Sequence, residues 1–220
     1  MRLRCWFAAL LAACSVGSAQ WLEKYVTLPD SLGGLVKPRC VACDNALNSV
    51  YVSGQEGQRT VVLDAATGRR IACVPTGYFT IDVCCNETSN KVYTVNYYDN
   101  VMSVIDCVTN QMIATVTTDW GQIAVCWDST NNRVYSPNCF SDCVRVIDGV
   151  TNQLLTSIPV GSSPSAICCN PALNRVYCAN QDDGTVTVID GAGKNLGTLP
   201  GFTEFRGCSK LRFTENRGES

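Results

Sequence analysis

Asn174-Arg175-Val176-Tyr177-Cys178-Ala179-Asn180 is followed, after Gln181-Asp182-Asp183-Gly184, by Thr185-Val186-Thr187-Val188-Ile189-Asp190. Both runs are rich in β-branched and aromatic residues, and turn formers separate them. They read as two strands of an antiparallel hairpin. Working outward, the Val176-Tyr177 pair recurs as Val134-Tyr135, Val92-Tyr93 and Val50-Tyr51, in steps of 42 residues. The second run recurs at the same step as Val146-Ile147-Asp148, Val104-Ile105-Asp106 and Val62-Leu63-Asp64. Two polar columns keep the spacing: Asp44, Asn86, Asp128 and Asn170, and four residues on, Asn48, Asn90, Asn132 and Asn174. Several independent columns at one step define an internal repeat.

Each repeat resolves into four short strands. Strand A is typified by residues 165–169, strand B by 175–179, strand C by 185–190 and strand D by 154–160. The A–B loop, Asn170-Pro171-Ala172-Leu173-Asn174, ends on a residue that tolerates a left-handed backbone. The C–D turn, Asp106-Cys107-Val108-Thr109-Asn110, opens on an Asp that can accept hydrogen bonds from backbone amides further along. It ends on Asn or Gly in three of four copies; the fourth, Gly191-Ala192-Gly193-Lys194, departs. Leu199-Pro200 also arrives one residue early relative to Ile158-Pro159, so a residue is missing there. A column with one Asp per repeat (Asp64, Asp106, Asp148, Asp190) is read as turn caps, not as a catalytic or calcium set.

Four strands in about 40 residues is the period of a β-propeller blade. Apolar residues on both faces of the strands suit a blade sandwiched between neighbours. The expected fold is therefore all-β, with four complete four-stranded blades over residues 38–205. Tyr51, Tyr93, Tyr135 and Tyr177 are expected in equivalent buried positions.

The run from Asn174 to Asn180, the run from Thr185 to Asp190, and Tyr93-Thr94-Val95-Asn96 together resemble the YVTN-type β-propeller repeat. The resemblance covers residues 38–205. It implies a propeller of the kind found in surface-layer and other exported prokaryotic proteins, usually a seven-bladed ring. This chain differs in having four full repeats and 15 cysteines.

Residues 206–220 read as a partial fifth repeat or an irregular tail, and residues 20–37 as an N-terminal strand segment. Within the latter, Tyr25-Val26-Thr27-Leu28-Pro29 resembles a strand D and is a candidate ring-closing strand. The expectation is an open arc or truncated ring; the alternative is a closed four-bladed ring. Residues 1–19 read as a signal peptide. Arg2 and Arg4 precede a short apolar run, and the small residues Gly17 and Ala19 lie before a cleavage point at Gln20. A rival reading takes Leu11-Ala12-Ala13-Cys14 as a lipobox, with a lipid anchor on Cys14. Both readings export the chain to the periplasm, cell surface or medium. No segment has the roughly 18 apolar residues of a transmembrane helix.

Composition excludes several chemistries. The chain has no histidine, so Ser-His-Asp and Cys-His engines and His-ligated metal sites are absent. Net charge is −2 with no basic run, which gives nucleic acid nothing to hold. No cofactor and no metal are expected. The Cys columns (Cys84, Cys126 and Cys168; Cys43, Cys85 and Cys169) favour small buried side chains, and Ala42 fills one of them. Cys40-Val41-Ala42-Cys43 on a strand points its sulfurs to opposite faces, against a redox or zinc role. Cys139 and Cys143 flank a hairpin loop and form a candidate disulfide.

The aromatics carry the functional signal. Alternating strand direction places the B–C and D–A loops on one face of the propeller. Tyr78, Phe79, Tyr97, Tyr98, Trp120, Phe140, Phe202 and Phe205 all lie in those loops. The opposite loops contain no aromatic residue in any of the four repeats. Tyr78, Phe79, Tyr97, Tyr98, Trp120 and Phe140 are the candidate binding residues, for a protein or glycan ligand. The competing reading makes them plugs between blades. The preferred function is a non-catalytic binding or structural scaffold at the cell surface or envelope. The alternative is an enzyme on the same scaffold, a lactonase-like hydrolase or dehydrogenase component.

Overall fold

The computed structural model describes residues 35–201. The expected leader at 1–19, Cys14, Gln20, the candidate closing strand at 25–29, Phe202, Phe205 and the tail at 206–220 lie outside these residues.

The described residues form four antiparallel four-stranded sheets, each in simple sequence order. The first holds β1 (Val36–Asp44), β2 (Ser49–Glu56), β3 (Arg59–Asp64) and β4 (Arg70–Pro75). The second holds β5 (Thr80–Asn86), β6 (Lys91–Asn96), β7 (Val101–Asp106) and β8 (Gln111–Thr117). The third holds β9 (Cys126–Asp128), β10 (Arg133–Asn138), β11 (Cys143–Asp148) and β12 (Leu154–Pro159). The fourth holds β13 (Pro164–Asn170), β14 (Arg175–Asn180), β15 (Thr185–Asp190) and β16 (Asn195–Pro200). Register repeats as faithfully as sequence: Tyr51 faces Val62, Tyr93 faces Val104, Tyr135 faces Val146 and Tyr177 faces Val188.

The core lies between sheets. Tyr51, Val62 and Val74 of the first pack against Val83, Val92 and Ile105 of the second. Tyr93 and Val104 pack against Val134 and Ile147 of the third, and Tyr135 and Val146 against Val176 and Ile189 of the fourth. Each tyrosine also reaches the next sheet's C–D turn. The Tyr51 hydroxyl donates to Asn110 Oδ1 at 3.3 Å, that of Tyr93 to Asn152 Oδ1 at 3.0 Å, and that of Tyr135 to the Gly191 carbonyl at 3.0 Å. Lys91 adds bonds from Nζ to the Gly149 and Val150 carbonyls, and Arg133 adds one to Gly191.

The fourth tyrosine differs from expectation. Tyr51, Tyr93 and Tyr135 are fully buried, whereas Tyr177 is half-buried. Val188 is half-buried where Val62, Val104 and Val146 are fully buried, and Leu199 is 49% exposed where Ile158 is 4%. The cause is geometric. A blade face is closed by its successor, and among the described residues the fourth sheet has none.

Turn chemistry follows the polar columns. Asn48, Asn90, Asn132 and Asn174 have φ of 51°, 49°, 49° and 50°, a left-handed conformation that Asn tolerates better than most residues. One Oδ1 of Asp64 accepts from the amide and hydroxyl of Thr67, and Asp106 and Asp148 do the same with Thr109 and Thr151. The missing residue of the fourth repeat lies in this turn. Gly68, Asn110 and Asn152 donate their amides to the Asp four residues back, whereas Gly193 donates to Asp190, three back. The turn is one residue tighter, and Leu199 still faces Val186 as Ile158 faces Val144.

These turns make stability sensitive to acid. The Thr67 hydroxyl and amide hold the Asp64 carboxyl below its ordinary value, and the amides and hydroxyls of Thr109 and Thr151 do so for Asp106 and Asp148. A folded pKa below the unfolded one contributes stability that is complete above the unfolded value, about 4, and is lost as pH falls through the folded value. The melting temperature should therefore be nearly flat from about pH 7 to 5 and fall below about pH 4. In Asp106→Asn, Asp148→Asn protein, the acid limb should be shallower in a thermal melt series. An unchanged limb would show that these caps do not carry the effect.

Candidate binding face

The loop face is built from two laced loops per blade. One column has a left-handed backbone in all four repeats: Lys37 near the start of β1, Phe79 and Ser163 just before β5 and β13, and Gly121 ahead of β9, with φ of 52°, 59°, 53° and 90°. Its carbonyl accepts an amide from the B–C loop: Tyr97 to Phe79 at 3.1 Å, Cys139 to Gly121 at 2.9 Å and Gln181 to Ser163 at 2.9 Å. Buried asparagines, Asn96, Asn138 and Asn180, brace the same loop from inside. Asn96 Nδ2 donates to the Val101 carbonyl and Ser103 Oγ, and Asn138 Oδ1 accepts from the amides of Phe140 and Ser141. This backbone frame belongs to the repeat.

The side chains on the frame do not repeat. Tyr78, Trp120 and Ser162 share one column, and Tyr98, Phe140 and Asp182 another. Phe79, Gly121 and Ser163 form a third, and Tyr97, Cys139 and Gln181 a fourth. Aromatics fill all four columns on the second blade and two of the four on the third, and give way to small or polar residues on the fourth. On the first blade Lys37 and Glu56 stand in the places of Phe79 and Tyr98 and form an ion pair. One backbone frame thus carries a charge pair on one blade and stacked rings on the next.

Tyr78, Phe79, Tyr97, Tyr98 and Phe140 form one connected group of rings. Tyr98 lies 4.9 Å from Phe79 edge to face, 5.0 Å from Tyr97 edge to face, and 5.9 Å from Tyr78 in a stacked arrangement. Tyr97 reaches across the blade junction to Phe140 at 6.1 Å. These spacings fall within the favourable range for aromatic pairs. Phe79 and Tyr97 are half-buried and pack on the core between the second and third blades. Tyr78, Tyr98, Trp120 and Phe140 are exposed, by 42%, 56%, 62% and 67%. The six candidates therefore divide: two anchor the group and four face solvent.

Four carboxylates around the rings already have partners. The Asp99 carboxylate accepts the Tyr78 amide, Asp142 the Ser163 amide and Asp183 the Ser162 amide. Asp119, beside Trp120, pairs with Arg145. Arg145 stands where Ser103 and Thr187 stand in neighbouring repeats, and sequence reasoning overlooked it because one substitution in a column leaves the period intact. Burial raises the Tyr97 phenol, and the adjacent Cys139 raises it further. Phe140 lies over Gly121, whose missing Cβ would sit 2.4 Å from the ring. Cys139 and Cys143 are separate thiols here. Among the described residues no group of three or more Cys, Asp or Glu could hold a metal ion, and no helix is long and apolar enough to cross a membrane.

Two solved structures resemble this arrangement. Kuenenia stuttgartiensis hydrazine synthase superposes with a TM-score of 0.69 at 16% identity, covering 82% of this chain and 52% of that one. The structure of U3-55K superposes with a TM-score of 0.67 at 12% identity, covering 76% of this chain and 53% of that one. The fold is a β-propeller. Among the described residues four blades are present, and these do not close into a ring. The propeller spans about half the length of each of these chains. At such identities the likeness concerns the fold alone. No family model and no curated protein matches the sequence.

Proposed function

We propose that this chain is a non-catalytic binding propeller, exported to the cell surface or envelope, whose loop face recognises a protein or glycan partner. The observation that carries the reading is the confinement of the aromatics. They depart from the repeat on two adjacent blades, on one face only, and four of them are exposed. Architecture would call for them on every blade, as it does for the buried Tyr column. A contiguous apolar patch on a solvent face is costly unless a partner covers it. Tyr and Trp offer a rigid ring with a polar edge, which suits sugar faces and protein hot spots. The enzyme alternative is weaker, because the carboxylates of Asp99, Asp119, Asp142 and Asp183 already serve backbone amides or Arg145.

Binding to a panel of cell-wall polysaccharides and envelope glycoproteins tests the proposal. The Tyr98→Ala, Trp120→Ala double variant should bind at least tenfold more weakly, a loss of about 1.4 kcal/mol or more. Its melting temperature should stay within a few degrees of wild type. Unchanged binding, or a collapse in stability, would make the patch packing and not a site.

A further inference from the structure

Cys126 and Cys169 meet at the junction of the third and fourth blades. Cys126 faces Tyr135 across its ladder, on the side turned to the fourth blade. Cys169 faces Val176, on the side turned to the third. Their sulfurs lie 2.7 Å apart. That is well inside the roughly 3.5–4.0 Å at which unbonded heavy atoms rest, and a shift of about 0.7 Å from the roughly 2.05 Å of a closed bond. Nearby, Asn131 Nδ2 donates to Asn174 Oδ1 at 2.6 Å across the same junction, so the two A–B loops are held in register. The equivalent positions at the other junctions are Ala42 with Cys85 and Cys84 with Trp127. At this pair of positions, among the described residues, only the third-to-fourth junction carries a thiol on both sides. The blade it joins is the fourth, whose outer face is the more open one, with Val188 half-buried and Leu199 exposed.

We infer that Cys126 and Cys169 are a cross-linking site: an inter-blade disulfide that fastens the fourth blade to the third. The oxidant is a low-molecular-weight disulfide such as oxidised glutathione. One cysteine, as thiolate, attacks the donor and releases one donor thiol, leaving a mixed disulfide. The second cysteine loses its proton and attacks the protein-side sulfur. One S–S bond forms and one breaks; the donor takes up two electrons and two protons and leaves as two thiols. The loop so closed contains the whole of β10, β11 and β12, long enough for a substantial loss of unfolded-state entropy.

The full-length chain, refolded in a reduced/oxidised glutathione buffer, provides the test. Non-reducing peptide mapping should recover the Cys126 and Cys169 peptides joined. Reduction should lower the melting temperature by roughly 10 °C. Cys126→Ala and Cys169→Ala variants should melt with reduced wild-type protein and show no response of this size to oxidant, because Ala keeps the small apolar side chain but not the bond. Two results would each overturn the inference: both thiols alkylated in the oxidised protein, or Cys126 recovered joined to another cysteine. Ala variants that still gained the full oxidative shift would also overturn it.

Discussion

Tyr93→Ala should be among the most damaging single changes in this chain, lowering stability by about 3–5 kcal/mol and the melting temperature by roughly 10 °C. Its ring is fully buried between the second and third blades, packed with Val104, Val125 and Val134. Its hydroxyl donates to Asn152 in the next blade's turn. Truncation therefore leaves a cavity and removes a partner from that turn at one stroke. Tyr93→Phe keeps the ring and should cost only about 1–2 kcal/mol. The control is the same truncation one end of the array away. Tyr177 shares the column but is half-buried, so Tyr177→Ala should cost well under half as much as Tyr93→Ala. Urea melts of the four proteins decide it. Equal losses at 93 and 177 would mean that something covers the outer face of the fourth blade in solution.

Asp82→Ala should cost about 3 kcal/mol, although the repeat gives Asp82 no evident role. Its column reads Cys40, Asp82, Ala124 and Ala166, and its carboxylate is 2% exposed. One oxygen accepts the Val83 amide at 2.9 Å and the other the Val125 amide at 2.9 Å, across the junction between the second and third blades. The need arises in the third blade. There strand A is ordered only over Cys126–Asp128, with one isolated bridge upstream from Gln122 to Asn138. Val125, which its own sheet leaves unpaired, is 3% exposed, so an amide without a partner there is expensive. Asp82 supplies that partner from the preceding blade, and within the third blade Ser136 Oγ donates to the Ala124 carbonyl at 2.8 Å. Asp82→Asn, which keeps an acceptor, should lose less than Asp82→Ala. Chemical denaturation of both variants checks the order, and a wild-type midpoint for Asp82→Ala would remove the bridge from the account.

The comparison of Tyr93 with Tyr177 shows where sequence reasoning reaches its limit. Strand positions other than strand A of the third blade, the Asn left-handed turns, the Asp caps and the missing residue after Asp190 were legible, because each depends on a few neighbouring residues and recurs at a fixed step; that strand A forms only over Cys126–Asp128. The loop-face aromatics could be placed on one side for the same reason: strand direction alternates, so loop position fixes the face. The periodicity could not tell buried from half-buried within a column, since burial depends on whether another blade follows.

What the sequence determined by itself is thus the blade: four antiparallel strands, their register and their turns, all set by local hydrogen bonding and the two-residue pleat. What only the tertiary structure decided lies between blades. It divided the six aromatics into the anchors Phe79 and Tyr97 and the exposed Tyr78, Tyr98, Trp120 and Phe140. It brought Asp82 to the Val125 amide and Cys126 to Cys169. The physical reason is that these contacts join residues some 43 positions apart through side-chain packing. A repeat period gives that distance along the chain, but it does not say which side chains meet across the gap.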